Sequence, residues 1–85
     1  MRTGTVATQF GITTQSLRDW IKEYGDFLTD SAKAIGSRLA DITEDDFIVL
    51  ATVHELVHHE KLSHKEAKER IASGYRVDIR VVRKE

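Results

Sequence analysis

The sequence predicts a small, mainly α-helical domain. Three observations predict it. Proline is absent from all 85 residues, so no ring interrupts a helix anywhere in the chain. Apolar residues recur at three- and four-residue spacing in successive segments, the period of a single helical face. Thr3, Thr13, Thr43 and Ser63 stand before those segments, where a hydroxyl can take up an unpaired backbone N–H.

The first helix is expected at about 4–10, with Thr3 as N-cap, Gly11 as stop, and Val6, Ala7 and Phe10 on its apolar face. Ile12 follows the turn. Thr13 then caps a second helix of about 14–24, on which Leu17, Trp20, Ile21 and Tyr24 share one side and after which Gly25 is the stop. Two helices joined around a glycine give a helix-turn-helix outline. Residues 25–42, GDFLTDSAKAIGSRLADI, break the helical period and read as a loop or a short, poorly regular hairpin, with Gly36-Ser37 as a turn.

Thr43-Glu44-Asp45-Asp46 opens a third helix running to about 59, its carboxylates at the positive end of the helix dipole. Phe47, Leu50, Val53, His54 and Val57 form its apolar arc. Ser63-His64-Lys65-Glu66 has the form of a capping box for a fourth helix of about 64–73, stopped by Gly74. The tail alternates Tyr75, Val77, Ile79 and Val81, which suits a short strand or the first turn of a longer element. Domain organisation is thus one domain over 1–74 and a basic tail over 75–85.

Composition narrows the function classes. Apolar residues make up 40% and charged residues 32%, the balance of a folded chain with a modest core. Without cysteine there is no disulfide framework, thiolate metal site or thiol nucleophile. No apolar run reaches the roughly 20 residues of a membrane span and no signal-peptide pattern opens the chain, so the expected compartment is the cytoplasm. The net charge of −1 conceals an uneven spread. Residues 1–38 hold five Lys/Arg against four Asp/Glu, residues 39–62 one against six, and residues 63–85 seven against four. Nucleic-acid binding must therefore be argued from local features and not from overall charge.

One string points elsewhere. His54-Glu55-Leu56-Val57-His58 is an HExxH sequence, in which two His of one helical face can share a zinc ion while the Glu serves as general base. His64 stands where the extended motif has its third His, but Lys61 occupies the position of its Gly. The only Met is Met1, so the Met-turn of that protease class has no residue to form it. Ser63 and Glu66 instead start a new helix at His64. His54 then reads as a core histidine, with His58 and His59 as the polar end of a helix. A zinc-binding hydrolase through His54, Glu55, His58 and His64 is the remote alternative.

The run TVATQFGITTQSLRDWIKEYG, through Ala7, Gly11, Ile12, Thr13, Ser16, Leu17, Arg18 and Trp20, resembles the N-terminal DNA-binding segment of the MerR superfamily. Ile42-Thr43-Glu44-Asp45-Asp46-Phe47, with Leu50, Val53 and Leu56 and then Lys61-Leu62-Ser63, resembles the second half of that domain. The opening residues look like its chromosome-anchoring branch. The resemblance covers about residues 3–73. It implies a winged helix-turn-helix of about four helices with a short or irregular wing, the second helix entering the major groove of duplex DNA.

Carried over position by position, the resemblance implies DNA contacts from Thr14, Gln15, Ser16, Arg18 and Lys22 on the second helix, and from Lys33, Ser37 and Arg38 on the wing. Arg18 would neutralise a phosphate and Gln15 would read an adenine edge. The chain also departs from the pattern. Arg38, Ala40 and Ile42 stand where the wing usually has Gly-x-Arg-x-Tyr, so the usual wing arginine is absent. Asp19 follows Arg18, and a carboxylate facing phosphates repels them. Plain structural readings stand beside these: Arg18 as a surface partner of Asp19 or Glu23, Trp20 as core beside Leu17 and Tyr24, Lys33 and Arg38 as solvated charges. The family's long C-terminal dimerisation helix has no counterpart here, so the expectation is either an excised N-terminal domain or a small stand-alone branch.

The resulting expectation is a DNA-binding module of a MerR-like transcriptional regulator or a chromosome- or plasmid-organising protein, nucleoid-associated, without reaction or cofactor. A homodimer, formed through further C-terminal sequence or through this surface, would raise the weak affinity of one copy. The alternative is a protein-interaction module that keeps the fold without binding DNA, in line with the acidic balance.

Overall fold

The computed structural model describes residues 2–33 and 41–77. They form a mainly helical domain: α1 (Thr3–Phe10), α2 (Thr14–Glu23), a 3-10 turn (Gly25–Phe27), the single turn α3 (Asp30–Lys33), α4 (Glu44–His54) continuing into a π-helical segment (Glu55–His59), and α5 (His64–Ala72). No strand occurs among the described residues.

Local chemistry sets most boundaries. The Thr13 side chain accepts from the Ser16 N–H, and the Ser63 side chain accepts from the Glu66 N–H, so α2 and α5 begin where expected. Thr43 and Asp46 form a reciprocal capping box at the start of α4. The first helix differs. Its N-cap is Arg2, without a side-chain hydrogen bond, because the Arg2 carbonyl already accepts the Val6 N–H at 3.1 Å and draws Thr3 into the first turn. α1 closes at Gly11, whose φ of 71° is the left-handed conformation that spares a glycine the clash of a Cβ. The Gly11 N–H then reaches the Thr8 carbonyl and the Ile12 N–H reaches Ala7, which folds the chain back into the helix-turn-helix corner.

Gly25 does not end the helical path after α2; it opens the 3-10 turn. Residues 25–27 and 30–33 are helical turns, joined through the extended Leu28 and through Thr29, and not the first arm of a hairpin; Leu28 and Ala32 are both buried against the core. Residues 34–40, and with them the central part of the expected wing, lie outside the described residues.

α4 is the central helix. Phe47, Leu50 and Val53 are buried as expected, and so are Val49, Ala51 and Thr52, because other elements cover α4 on several sides. α1, α2 and α5 all pack against it. The start of the tail adds further cover: the Val77 N–H donates to the buried Thr52 hydroxyl at 3.0 Å, and that hydroxyl donates to the Ile48 carbonyl at 2.7 Å. Residues 75–77 therefore run as a docked irregular segment and not as a strand, while Ile79 and Val81 lie outside the described residues.

Asp46 is 1% exposed, yet its carboxylate is fully engaged. It accepts the Thr29 N–H at 2.8 Å, the Thr29 hydroxyl at 2.7 Å, the Thr43 N–H at 3.1 Å and the Thr43 hydroxyl at 2.8 Å. Burial alone would raise this carboxyl, but the four bonds outweigh it and hold the group below the usual carboxylate range. One side chain thus fastens the loop before α3 to the start of α4.

Candidate nucleic-acid interface

α2 buries Leu17, Trp20 and Ile21 against α1 and α4 and turns its opposite side to solvent. Thr14, Gln15, Arg18, Asp19, Lys22 and Glu23 are all exposed there. Three carry charge relationships that decide the character of the face. Glu23 is held by Lys68 of α5 at 2.7 Å, and that ammonium keeps the carboxyl below its ordinary range. Asp19 accepts from the Gln15 amide at 3.1 Å. The Arg18 side chain makes no hydrogen bond or ion pair with any other described residue. The two carboxylates that could have neutralised Arg18 are each engaged elsewhere, and its guanidinium faces solvent.

Ser16 is half-buried at the edge of this face. Its hydroxyl accepts from Thr13 at 3.0 Å, which leaves its own proton to donate outward. Lys33 is the last residue of α3. Ser37 and Arg38 lie outside the described residues. The structure therefore places Thr14, Gln15, Arg18 and Lys22 on one exposed helical surface with Ser16 at its rim.

The HExxH string falls on the junction between α4 and the π-helical segment. His54 is 1% exposed and stacks on Phe10, with ring centroids 5.3 Å apart and planes 14° from parallel. Phe10 also stacks on Phe47, with ring centroids 5.3 Å apart. His58 lies 5.1 Å from His54 and 5.5 Å from Trp20, ring to ring. His64, the first residue of α5, points its Nδ1 at the Tyr24 hydroxyl, 2.8 Å away. Burial, with help from the Glu23 carboxylate, pushes the Tyr24 hydroxyl up to about 12, so it stays protonated at neutral pH. Among the described residues no three His, Cys, Asp or Glu side chains are grouped to hold a metal ion.

The π-helical segment widens the end of this helix. The Glu60 N–H bonds the Glu55 carbonyl at 3.0 Å and the Leu62 N–H bonds Leu56 at 2.9 Å. Lys61 sits at the turn with φ of 60°. A lysine does here what glycine does after α1, and carries the strain of a Cβ in the left-handed region. An open groove of about 570 Å³ remains between Thr13, Ser16 and Trp20 on one side and Val57, His58 and His64 on the other.

Two features of this surface were not anticipated from the sequence: the Gln15–Asp19 bond and the Glu23–Lys68 pair. The first had a local clue, since a Gln and an Asp four residues apart on a helix are placed to bond. The second joins separate helices and has none. No protein-family model, curated protein or solved structure matches this chain.

Proposed function

We propose that this chain is a DNA-binding module of winged helix-turn-helix type, similar to the N-terminal domain of MerR-like proteins, with α2 as the element that enters the major groove. The carrying observation is the unneutralised Arg18 on the exposed side of a helix whose other side is fixed in the core. Lys22 adds a second cation one turn along, and Thr14, Gln15 and Ser16 supply polar groups at the N-terminal end, where base edges and phosphates are met in such docking. Lys33, Ser37 and Arg38 would extend the contact to flanking phosphates. The role would be transcriptional control or chromosome or plasmid organisation on the nucleoid. A homodimer would bring two such helices to successive groove faces and raise the affinity.

One observation favours a second reading, a protein-interaction module on the same fold: Asp19 stands between the two cations of α2, Arg18 and Lys22. Titration of mixed-sequence duplex with the wild type and with Arg18→Ala separates the two. Binding by the wild type that weakens on substitution is expected. Absence of duplex binding at low salt would overturn the DNA reading and leave the interaction module.

A further inference from the structure

We propose that Asp19 is a specificity determinant which, together with Gln15, selects a cytosine edge in duplex DNA. The inference rests on the DNA-binding reading and adds to it what the helix reads. Two facts carry it. Gln15, in the first turn of α2, and Asp19, one turn further on, are both exposed and are joined at 3.1 Å. Asp19 also lies between Arg18 and Lys22 in sequence, yet forms no ion pair with any described residue.

The chemistry of the pair follows from its bond. An ionised carboxylate only accepts, so the amide nitrogen of Gln15 must be the group turned toward it. The amide oxygen of Gln15 and the second carboxylate oxygen of Asp19 then remain as outward acceptors, beside one remaining amide proton of Gln15. An acceptor-rich pair is poorly matched to phosphates, to guanine O6 and N7 and to thymine O4, all of which are acceptors themselves. It is matched to the exocyclic amino groups of the major groove. For a carboxylate that partner is cytosine N4. The negative charge that weakens binding to any duplex therefore weakens it least where a cytosine amino group meets Asp19. Asp19 raises selectivity at the expense of general affinity, while Arg18 and Lys22 hold the backbone.

The test is selection of binding sites from a randomised duplex library by the wild-type chain and by Asp19→Asn, with parallel titration of mixed-sequence duplex. Asn keeps the shape and an acceptor for Gln15 but removes the charge. Both residues lie on the surface, so the core is unaffected. The wild type should enrich a C·G pair at one position of its site. Asp19→Asn should lose about 5- to 100-fold of that discrimination, the range of one good base contact, and should bind mixed-sequence duplex more tightly than the wild type. If both chains bind and enrich the same sequences, the role of Asp19 is wrong and the DNA reading stands. Enrichment of an A·T pair at the position that Asp19→Asn relaxes would also overturn it. If the wild type binds no duplex at low salt, both readings fall together.

Discussion

The Asp46 carboxylate accepts both the backbone N–H and the hydroxyl of Thr29, at 2.8 and 2.7 Å, while also capping its own helix through Thr43. Two segments 17 residues apart are thereby fixed by one buried anion. Asp46→Ala takes the shared acceptor from four donors of Thr29 and Thr43 and removes the reciprocal cap. The expected loss is about 2–3 kcal/mol, or roughly 10–20 °C in Tm for a chain of this size. Thermal and urea unfolding measure it, and a loss below about 0.5 kcal/mol would contradict the role, since surface substitutions reach that much.

The same carboxyl predicts a pH dependence. Its folded-state pKa lies below its unfolded value of about 3.9, so its contribution is complete above that value and is lost as pH falls through the folded pKa. Unfolding free energy of the wild type should therefore fall with acidification more steeply than that of Asp46→Asn, starting below about pH 5. Parallel curves for the two chains would show that the carboxylate is not the group responsible.

The Tyr24 hydroxyl and His64 Nδ1, 2.8 Å apart, connect the end of α2 to the start of α5. Tyr24→Phe and His64→Ala should each cost about 0.5–1.5 kcal/mol. The double variant should cost less than their sum, with a coupling near 0.5–1 kcal/mol. Strict additivity would mean that the bond contributes nothing in solution.

Legibility of this fold from its sequence tracks how far apart the interacting groups lie. The caps at Thr13, Thr43 and Ser63 act on N–H groups three residues away, so their chemistry is present in a short window. The turn at Gly11 is legible for the same reason. The bonds from Asp46 to Thr29 and from Val77 to Thr52 span 17 and 25 residues and leave no local trace. α4 illustrates the limit of periodicity: an arc of Phe47, Leu50 and Val53 was readable, but a helix covered on several sides buries Val49, Ala51 and Thr52 as well. The exposed side of α2 follows from the positions of Leu17, Trp20 and Ile21. Which of its charges are neutralised does not, because Lys68 reaches Glu23 from another helix.

Lys61 holds a backbone conformation, φ of 60°, that costs a side chain roughly 1–2 kcal/mol. Lys61→Gly removes that strain but frees the unfolded chain, so the net gain should be about 0.5–1 kcal/mol. Lys61→Ala keeps the Cβ and should gain nothing. Equal effects of Gly and Ala in urea unfolding would locate the cause in the lysine charge instead of the backbone.

Zinc should not stabilise this protein. His54 is stacked against Phe10 at 1% exposure and His64 is bonded to Tyr24, so neither is poised with His58 for a common ion. A ligand at 100 times its Kd raises unfolding free energy by about 2.7 kcal/mol, which a thermal scan with and without zinc readily detects. An upward shift abolished by His58→Ala and His64→Ala alike would establish a zinc site and revive the hydrolytic reading.

The salt dependence of duplex binding distinguishes phosphate contacts from base contacts. Each phosphate neutralised contributes about 0.9 to the slope of log affinity against log salt. Arg18→Ala and Lys22→Ala should each lower that slope by about one and weaken binding to all sequences alike. Gln15→Ala should change sequence preference and leave the slope where it was, because a neutral amide displaces no counterion. These changes should be read between about 50 and 200 mM salt, where the electrostatic share of affinity is largest. If Arg18→Ala and Lys22→Ala leave the slope unchanged while wild-type binding remains salt-dependent, the duplex is held by a different basic surface, and the Arg76, Arg80, Arg83 and Lys84 tail is the next to substitute.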